Sequence, residues 1–83
     1  MSQIKIKIEA FGAIERHLPT CLEISCNLNS SVYDVLNQIS FDYPSALAML
    51  ERCACAIGED IIPRQNKLTS DSTLVLLSPV AGG

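Results

Sequence analysis

With 83 residues, 48% of them hydrophobic and 18% charged, the chain is sized for one compact domain and is too apolar to be disordered. Its net charge is −3 and its six basic residues, Lys5, Lys7, Arg16, Arg52, Arg64 and Lys67, are scattered without a patch, which argues against nucleic acid or an anionic membrane as a partner. No segment approaches the roughly 20 apolar residues of a membrane span, and the N-terminus alternates where a signal peptide would run apolar, so a cytoplasmic location is expected.

Residues 3 to 10 alternate, with Ile4, Ile6 and Ile8 on one face and Lys5, Lys7 and Glu9 on the other, the pattern of a half-buried strand. From Phe11 to Pro19 the alternation breaks, and Phe11, Ile14 and Leu18 fit a short helical turn tucked under the sheet. His17 stands there alone, without a partner at useful spacing, and is assigned no catalytic role. Alternation resumes over Thr20 to Leu28, with Leu22, Ile24, Cys26 and Leu28 expected inward, and the short link predicts an antiparallel hairpin with the first strand. Ser31 then reads as an N-cap, with Asp34 three residues on in the manner of a capping box. Val32, Val35, Leu36 and Ile39 follow at i, i+3, i+4 and i+7, one apolar stripe fit to cover a sheet.

Tyr43-Pro44 should break this helix and start a shorter one with Leu47 and Leu50 facing in. Cys53 to Ile57 is too short for a helix and is expected to be a strand. Gly58 to Asp60 reads as a turn, and Ile61 and Ile62 as a brief edge strand ended by Pro63. Arg64 to Ser72 is a polar connection anchored by Leu68. Thr73 to Leu77 is apolar on both faces, so it belongs in the middle of a sheet covered on both sides. Placed parallel to the first strand, with the helical segment as a right-handed crossover, it predicts an α+β β-grasp fold. Such a fold is a mixed sheet of four or five strands holding one main helix, here as a single domain over residues 1–83.

After Leu77 the pattern changes. Pro79 has no amide proton and biases Ser78 toward an extended conformation, so the ladder should stop there. Residues 78–83 are expected to be an extended, flexible tail. From Pro79 to Gly83 it can span roughly 17 Å, and Gly82 and Gly83, without Cβ atoms, can thread a channel too narrow for side chains. The segment carries no charged side chain, unlike a tail kept for solubility.

Four cysteines remain, Cys21, Cys26, Cys53 and Cys55. Cys21 and Cys26 are an odd number apart on one predicted strand and cannot share a site. Cys53 and Cys55 share a face, but lack both redox-pair spacing and a nearby histidine. All four read as small core or surface residues.

Ile4 to Ile8 with the Phe11 to Leu18 segment, the Ser31 to Ile39 helix with Tyr43-Pro44, and above all the ending Leu76-Leu77-Ser78-Pro79-Val80-Ala81-Gly82-Gly83 resemble the small, sulfur-carrying subunit of molybdopterin synthase, in the ubiquitin-like β-grasp sulfur carrier family. The resemblance covers the whole length. It departs at Ser78, where the family commonly has a second proline, at Leu77, often near an aromatic there, and at Ser70-Asp71-Ser72, where a glycine-containing acidic turn is common.

The resemblance implies that Gly83 is adenylated by an ATP-consuming activating enzyme and converted to a thiocarboxylate using a sulfur donor. The tail, through Pro79, Val80, Ala81 and Gly82, would then enter the large catalytic subunit, in a heterotetramer of two small and two large chains, and pass sulfur to cyclic pyranopterin monophosphate. It implies a non-catalytic carrier with no bound cofactor or metal. An apolar docking patch would come from among Leu74, Leu76 and Leu77, with Val80 at the base of the arm, although parity along the strand does not assign which leucine faces out. Rival functions are a sulfur carrier for thiamine synthesis, a ubiquitin-like protein modifier, and a thiol or metal protein using Cys53 and Cys55.

Overall fold

The computed structural model describes residues 2–78; the expectations for Pro79, Val80, Ala81, Gly82 and Gly83 lie outside the described residues. The alternating isoleucines form β1 (Gln3–Phe11) and bury Ile4, Ile6 and Ile8. It pairs antiparallel with β2 (Leu22–Asn27), from Gln3 opposite Asn27 to Ile8 opposite Leu22. Beyond the main helix α1 (Val32–Asp42) lie a short helix α2 (Leu47–Leu50), then β3 (Ala54–Ile57), β4 (Asp60–Ile62) and β5 (Ser72–Leu77). The sheet order is β2-β1-β5-β3-β4. β5 therefore lies in the middle, parallel to β1 and antiparallel to β3. This is the β-grasp arrangement that the sequence predicts, with five strands.

The apolar stripe of α1 closes one face of the sheet. Val32, Val35 and Ile39 are wholly buried in one cluster with Ile6, Leu74 and Leu76. The helix start is fully accounted for, since an α-helix begins with four amide N–H groups that lack partners within it. Val32 donates to the carbonyl of Asn66 at 3.0 Å and Tyr33 to that of Arg64 at 2.9 Å. Asp34 donates to the Ser31 hydroxyl at 3.2 Å while the Ser31 amide donates back to the Asp34 carboxylate at 3.0 Å, which completes the capping box. Val35 donates to the Ser31 carbonyl at 3.3 Å. The polar stretch after Pro63 thus does more than connect: its carbonyls cap α1, and Leu68 pins it to the core.

Three side chains depart from their expected faces. Phe11 does not tuck under the sheet but is 50% exposed, because it remains in β1 and falls on the outward parity set by Ile4, Ile6 and Ile8. Leu28 is exposed because β2 ends at Asn27 and the chain turns through Asn29 at φ 70°. Leu47 is exposed because it opens a helix of only four residues, and the core is met there by Leu50 and by Ala46 just before the helix. The turn between β3 and β4 is also tighter than expected. Gly58, at φ 62°, and Glu59 suffice, and Asp60 already pairs with Ile57; a side chain at Gly58 would be strained by that left-handed backbone.

Arg64 joins the second helical segment to the sheet. Its Nη2 donates to the carbonyls of Leu50 at 2.6 Å and Cys53 at 2.9 Å, adding to the Cys53 amide that the Leu50 carbonyl already accepts at 3.3 Å. Cys53 and Cys55 are buried beside it. Burial pushes both thiols up, reinforced at Cys53 by the neighbouring Cys55, and the Arg64 guanidinium opposes the shift only in part. Thiols held protonated are poor nucleophiles and poor metal ligands, and among the described residues no three His, Cys, Asp or Glu side chains gather as metal ligands. Cys26 is half-buried and its thiol is likewise raised, chiefly by burial. No helix among the described residues is long and apolar enough to cross a membrane.

Candidate functional site: the outer sheet face and the root of the tail

Because side chains alternate across a strand, burial of Leu74 and Leu76 fixes the outward set of β5 as Thr73, Val75 and Leu77. Of the three leucines expected to supply a docking surface, Leu74 and Leu76 are fully buried and Leu77 alone faces out, 37% exposed. The correction is one of parity: Leu74 and Leu76 are core residues packed under α1, and no partner can reach them without unfolding the domain.

The register shows what accompanies Leu77. Ala54 lies opposite it on β3 and Phe11 beside it on β1, so Ala54, Leu77 and Phe11 form one row across three strands. A parallel row runs Ile61, Ala56, Val75, from the edge strand β4 to the centre. Ile61 is 66% exposed. The two rows make an apolar strip on the sheet face opposite α1, in which Ala56 itself is buried. It is bordered on β1 by Glu9, the register partner of Val75, and by Lys7, the partner of Thr73. A contiguous apolar strip with a charged margin is the composition of a protein interface. Sequence inspection missed Phe11, Ala54, Val75 and Ile61; strict parity counted forward from Ile8 would have found Phe11.

The strip lies beside the root of the tail. Ser78 leaves β5 directly after Leu77, and its amide donates to the Phe11 carbonyl at 3.0 Å, extending the β1–β5 ladder by one residue. Its hydroxyl donates to the same carbonyl at 3.0 Å and accepts the Ile14 amide at 3.0 Å. Gly12, between them, takes φ 88° and ψ −154°. A Cβ there would sit 2.5 Å from the Ser78 hydroxyl oxygen and 2.8 Å from its carbonyl oxygen, so the position admits no side chain without displacing Ser78.

On the other side of the sheet, Tyr33 and Leu47 border a shallow groove with Glu51 and Arg64, and Phe41 is 82% exposed. These residues lie on or after α1, away from the outward face of β5.

The ThiS family matches residues 12–83. Compared with curated proteins, the chain finds no match. Among solved structures it is similar to SAMP1 from Haloferax volcanii, at 12% identity and a TM-score of 0.81, covering 95% of this chain and 99% of that one. It is similar to a ubiquitin from Caldiarchaeum subterraneum, at 17% identity and a TM-score of 0.66, over 99% and 100% of the two chains. In the complex of subunits 1 and 2 of molybdopterin-converting factor from Helicobacter pylori it is similar to a chain at 22% identity with a TM-score of 0.63, over 96% and 100%. At these identities the structural likenesses establish the β-grasp fold, and the sequence match establishes the lineage: the chain belongs to the ThiS family, as a β-grasp protein of the sulfur-carrier type.

Proposed function

We propose that this chain is the sulfur-carrying small subunit of a molybdopterin synthase. The observation that carries the reading is the meeting of three features at one end of the sheet. The central strand β5 ends at a clasped Ser78, the apolar strip of Phe11, Ala54 and Leu77 lies beside that exit, and the sequence runs on through Pro79, Val80 and Ala81 to Gly82 and Gly83. The complex of subunits 1 and 2 of molybdopterin-converting factor from Helicobacter pylori offers a precedent for pairing with a second subunit.

In this proposal the Gly83 carboxylate oxygen attacks the α-phosphorus of ATP held by an activating enzyme, and pyrophosphate leaves. A persulfide on a donor then attacks the acyl carbon of the adenylate and AMP leaves; a second thiol attacks the donor sulfur of the resulting acyl disulfide, the donor departs as a disulfide, and the chain ends in a thiocarboxylate, which sulfide as donor would give directly. Activation is required because a carboxylate is a poor electrophile at neutral pH. The carrier contributes position, and the partners contribute the catalytic groups. No cofactor is bound by the chain itself, and ATP is consumed on the partner. The tail, through Pro79 to Gly82, enters the large subunit, where the thiocarboxylate sulfur attacks a side-chain carbon of cyclic pyranopterin monophosphate as a carbon–oxygen bond there breaks, and water then cleaves the resulting thioester, leaving sulfur on the pterin and restoring the Gly83 carboxylate. Two deliveries build the dithiolene, consistent with two small and two large chains, in the cytoplasm.

Reconstitution tests the pathway. Thiocarboxylated chain, incubated with the large synthase subunit and cyclic pyranopterin monophosphate, is expected to yield molybdopterin. Incubated instead with thiazole synthase and its substrates, it is expected to yield no thiazole; the reverse pattern would assign the chain to thiamine synthesis. A second reading, a protein modifier joined through Gly83 to lysines, draws support from the likeness to SAMP1 and to a ubiquitin. Conjugates of higher mass in the presence of an activating enzyme would favour it.

A further inference from the structure

We propose that Ser78 is a positioning residue: with Gly12 it forms a clasp that fixes the point and direction at which the arm leaves the sheet, and so sets where the acyl group arrives in a partner's active site. This role rests on the carrier reading above.

A short 3-10 turn follows β1. Ala13–His17 starts at Gly12, which has no side chain to cap it, yet the amide N–H groups at the start of a helical turn need acceptors. The Ile14 amide finds its acceptor 64 residues away in the Ser78 hydroxyl. That hydroxyl simultaneously donates to the Phe11 carbonyl, which also takes the Ser78 amide. One serine therefore holds three hydrogen bonds to Phe11 and Ile14, on either side of Gly12, and its carbonyl packs over the glycine.

Alanine would keep the amide bond and lose both hydroxyl bonds, leaving a half-buried N–H at Ile14 without its partner. The consequence for an arm is geometric. Pro79 has no N–H with which to continue the ladder, so Ser78 is the last residue that β1 can hold. Without the hydroxyl a single amide bond holds residue 78 to β1, so that contact opens more often, and each time it opens the pivot retreats to Leu77 and the chain beyond it lengthens by one residue, roughly 3.3–3.6 Å. A tip that pivots one residue earlier samples a larger volume and spends less time at the reacting distance. Misplacement of about 1 Å at a reaction centre already costs about 100-fold in rate. Docking through the apolar strip is a separate matter, because Phe11, Ala54 and Leu77 keep their places whether or not the hydroxyl is present.

The two contributions separate kinetically. The experiment measures pyrophosphate release when the full chain is adenylated by its activating enzyme, at saturating ATP, for wild type, Ser78→Ala and Ser78→Thr. Amide hydrogen exchange at Ile14 is followed alongside. Ser78→Ala is expected to lower kcat about tenfold to 100-fold with KM for the chain little changed, and to speed exchange at Ile14. Ser78→Thr, which keeps the hydroxyl, is expected to restore most of kcat. A merely structural role would lower thermal stability and leave kcat intact below the melting transition. Unchanged kcat in Ser78→Ala would overturn the proposal, as would a loss that appears in KM alone. If the wild-type chain itself releases no pyrophosphate, the carrier reading fails and this role falls with it. A normal wild type with an equally fast Ser78→Ala variant would sink the clasp and leave the carrier intact.

Discussion

Deleting Gly83 is expected to abolish sulfur delivery while leaving the folded domain untouched. The shortened chain still ends in a glycine carboxylate, so the chemistry of the end group is the same and only its reach differs. One residue is worth roughly 3.3–3.6 Å of extended chain. Reacting atoms must approach to about 3–3.5 Å, and a 1 Å error already costs about 100-fold. A shortfall of a full residue therefore places the carboxylate out of range of the activating enzyme and of the synthase subunit alike. Stability should hardly move, because the buried cluster is built from side chains between Ile4 and Leu76, a terminal glycine has no side chain to lose, and changes away from a core commonly amount to about 0.5 kcal/mol or less. For a domain of this size that corresponds to a melting shift within about 2–4 °C. Differential scanning calorimetry and a molybdopterin formation assay on the same preparation check both halves. Full activity in the shortened chain would refute the carrier mechanism.

A second expected result separates the two faces of β5. Leu77→Asp, or Phe11→Asp beside it, should weaken binding to the large synthase subunit by about 30-fold or more, the loss of about 2 kcal/mol that marks a central interface residue. The same changes should leave the denaturation midpoint nearly unmoved, because both side chains face outward. Leu76, one residue away from Leu77, should behave oppositely. It is fully buried under α1, so Leu76→Ala is expected to cost about 2–5 kcal/mol of stability. That is a large part of the roughly 5–15 kcal/mol available to a small domain. Binding by the fraction still folded should be unchanged. Isothermal titration paired with urea denaturation reads both. Equal loss of affinity from Leu76→Ala and Leu77→Asp, measured on folded protein, would mean that the outer strip is not the docking surface.

Much of this molecule is legible in its sequence because local and global preferences agree. The alternation of Ile4, Ile6 and Ile8 dictates a half-buried strand, and Ser31 with Asp34 dictates where α1 begins. The apolar run of β5 dictates a central position, since only a strand flanked on both sides can bury so much. What periodicity could not supply is orientation where every position is apolar. Leu74, Val75, Leu76 and Leu77 carry no alternation, so nothing in the run distinguishes the inward set from the outward one. Their parity became visible only through the pairing of β5 with β1 and β3.

Phe11 failed for a related reason. Its hydrophobicity suggested burial, but the strand continued through it and the pleat turned it outward. The remaining misses involve the backbone. The carbonyls of Arg64 and Asn66 cap α1, and a carbonyl has no signature in a residue name. The Ser78 clasp joins residues 64 and 67 positions apart; in one dimension Ser78 is merely a small polar residue before a proline. Gly12 offers a partial hint, since an isolated glycine just after a strand often marks a close backbone approach. What approaches it could be learned only from the fold.

The carrier mechanism stands or falls on the chemistry of one acyl group, and intact mass spectrometry addresses it most directly. The full chain is incubated with ATP, an activating enzyme and a sulfur donor, then weighed. The account predicts a species heavier than the starting chain by the difference between one sulfur and one oxygen atom, located at Gly83 by fragmentation and absent when ATP is withheld. A chain that stays at its original mass, or one whose added sulfur maps to Cys21, Cys26, Cys53 or Cys55 instead, would contradict it.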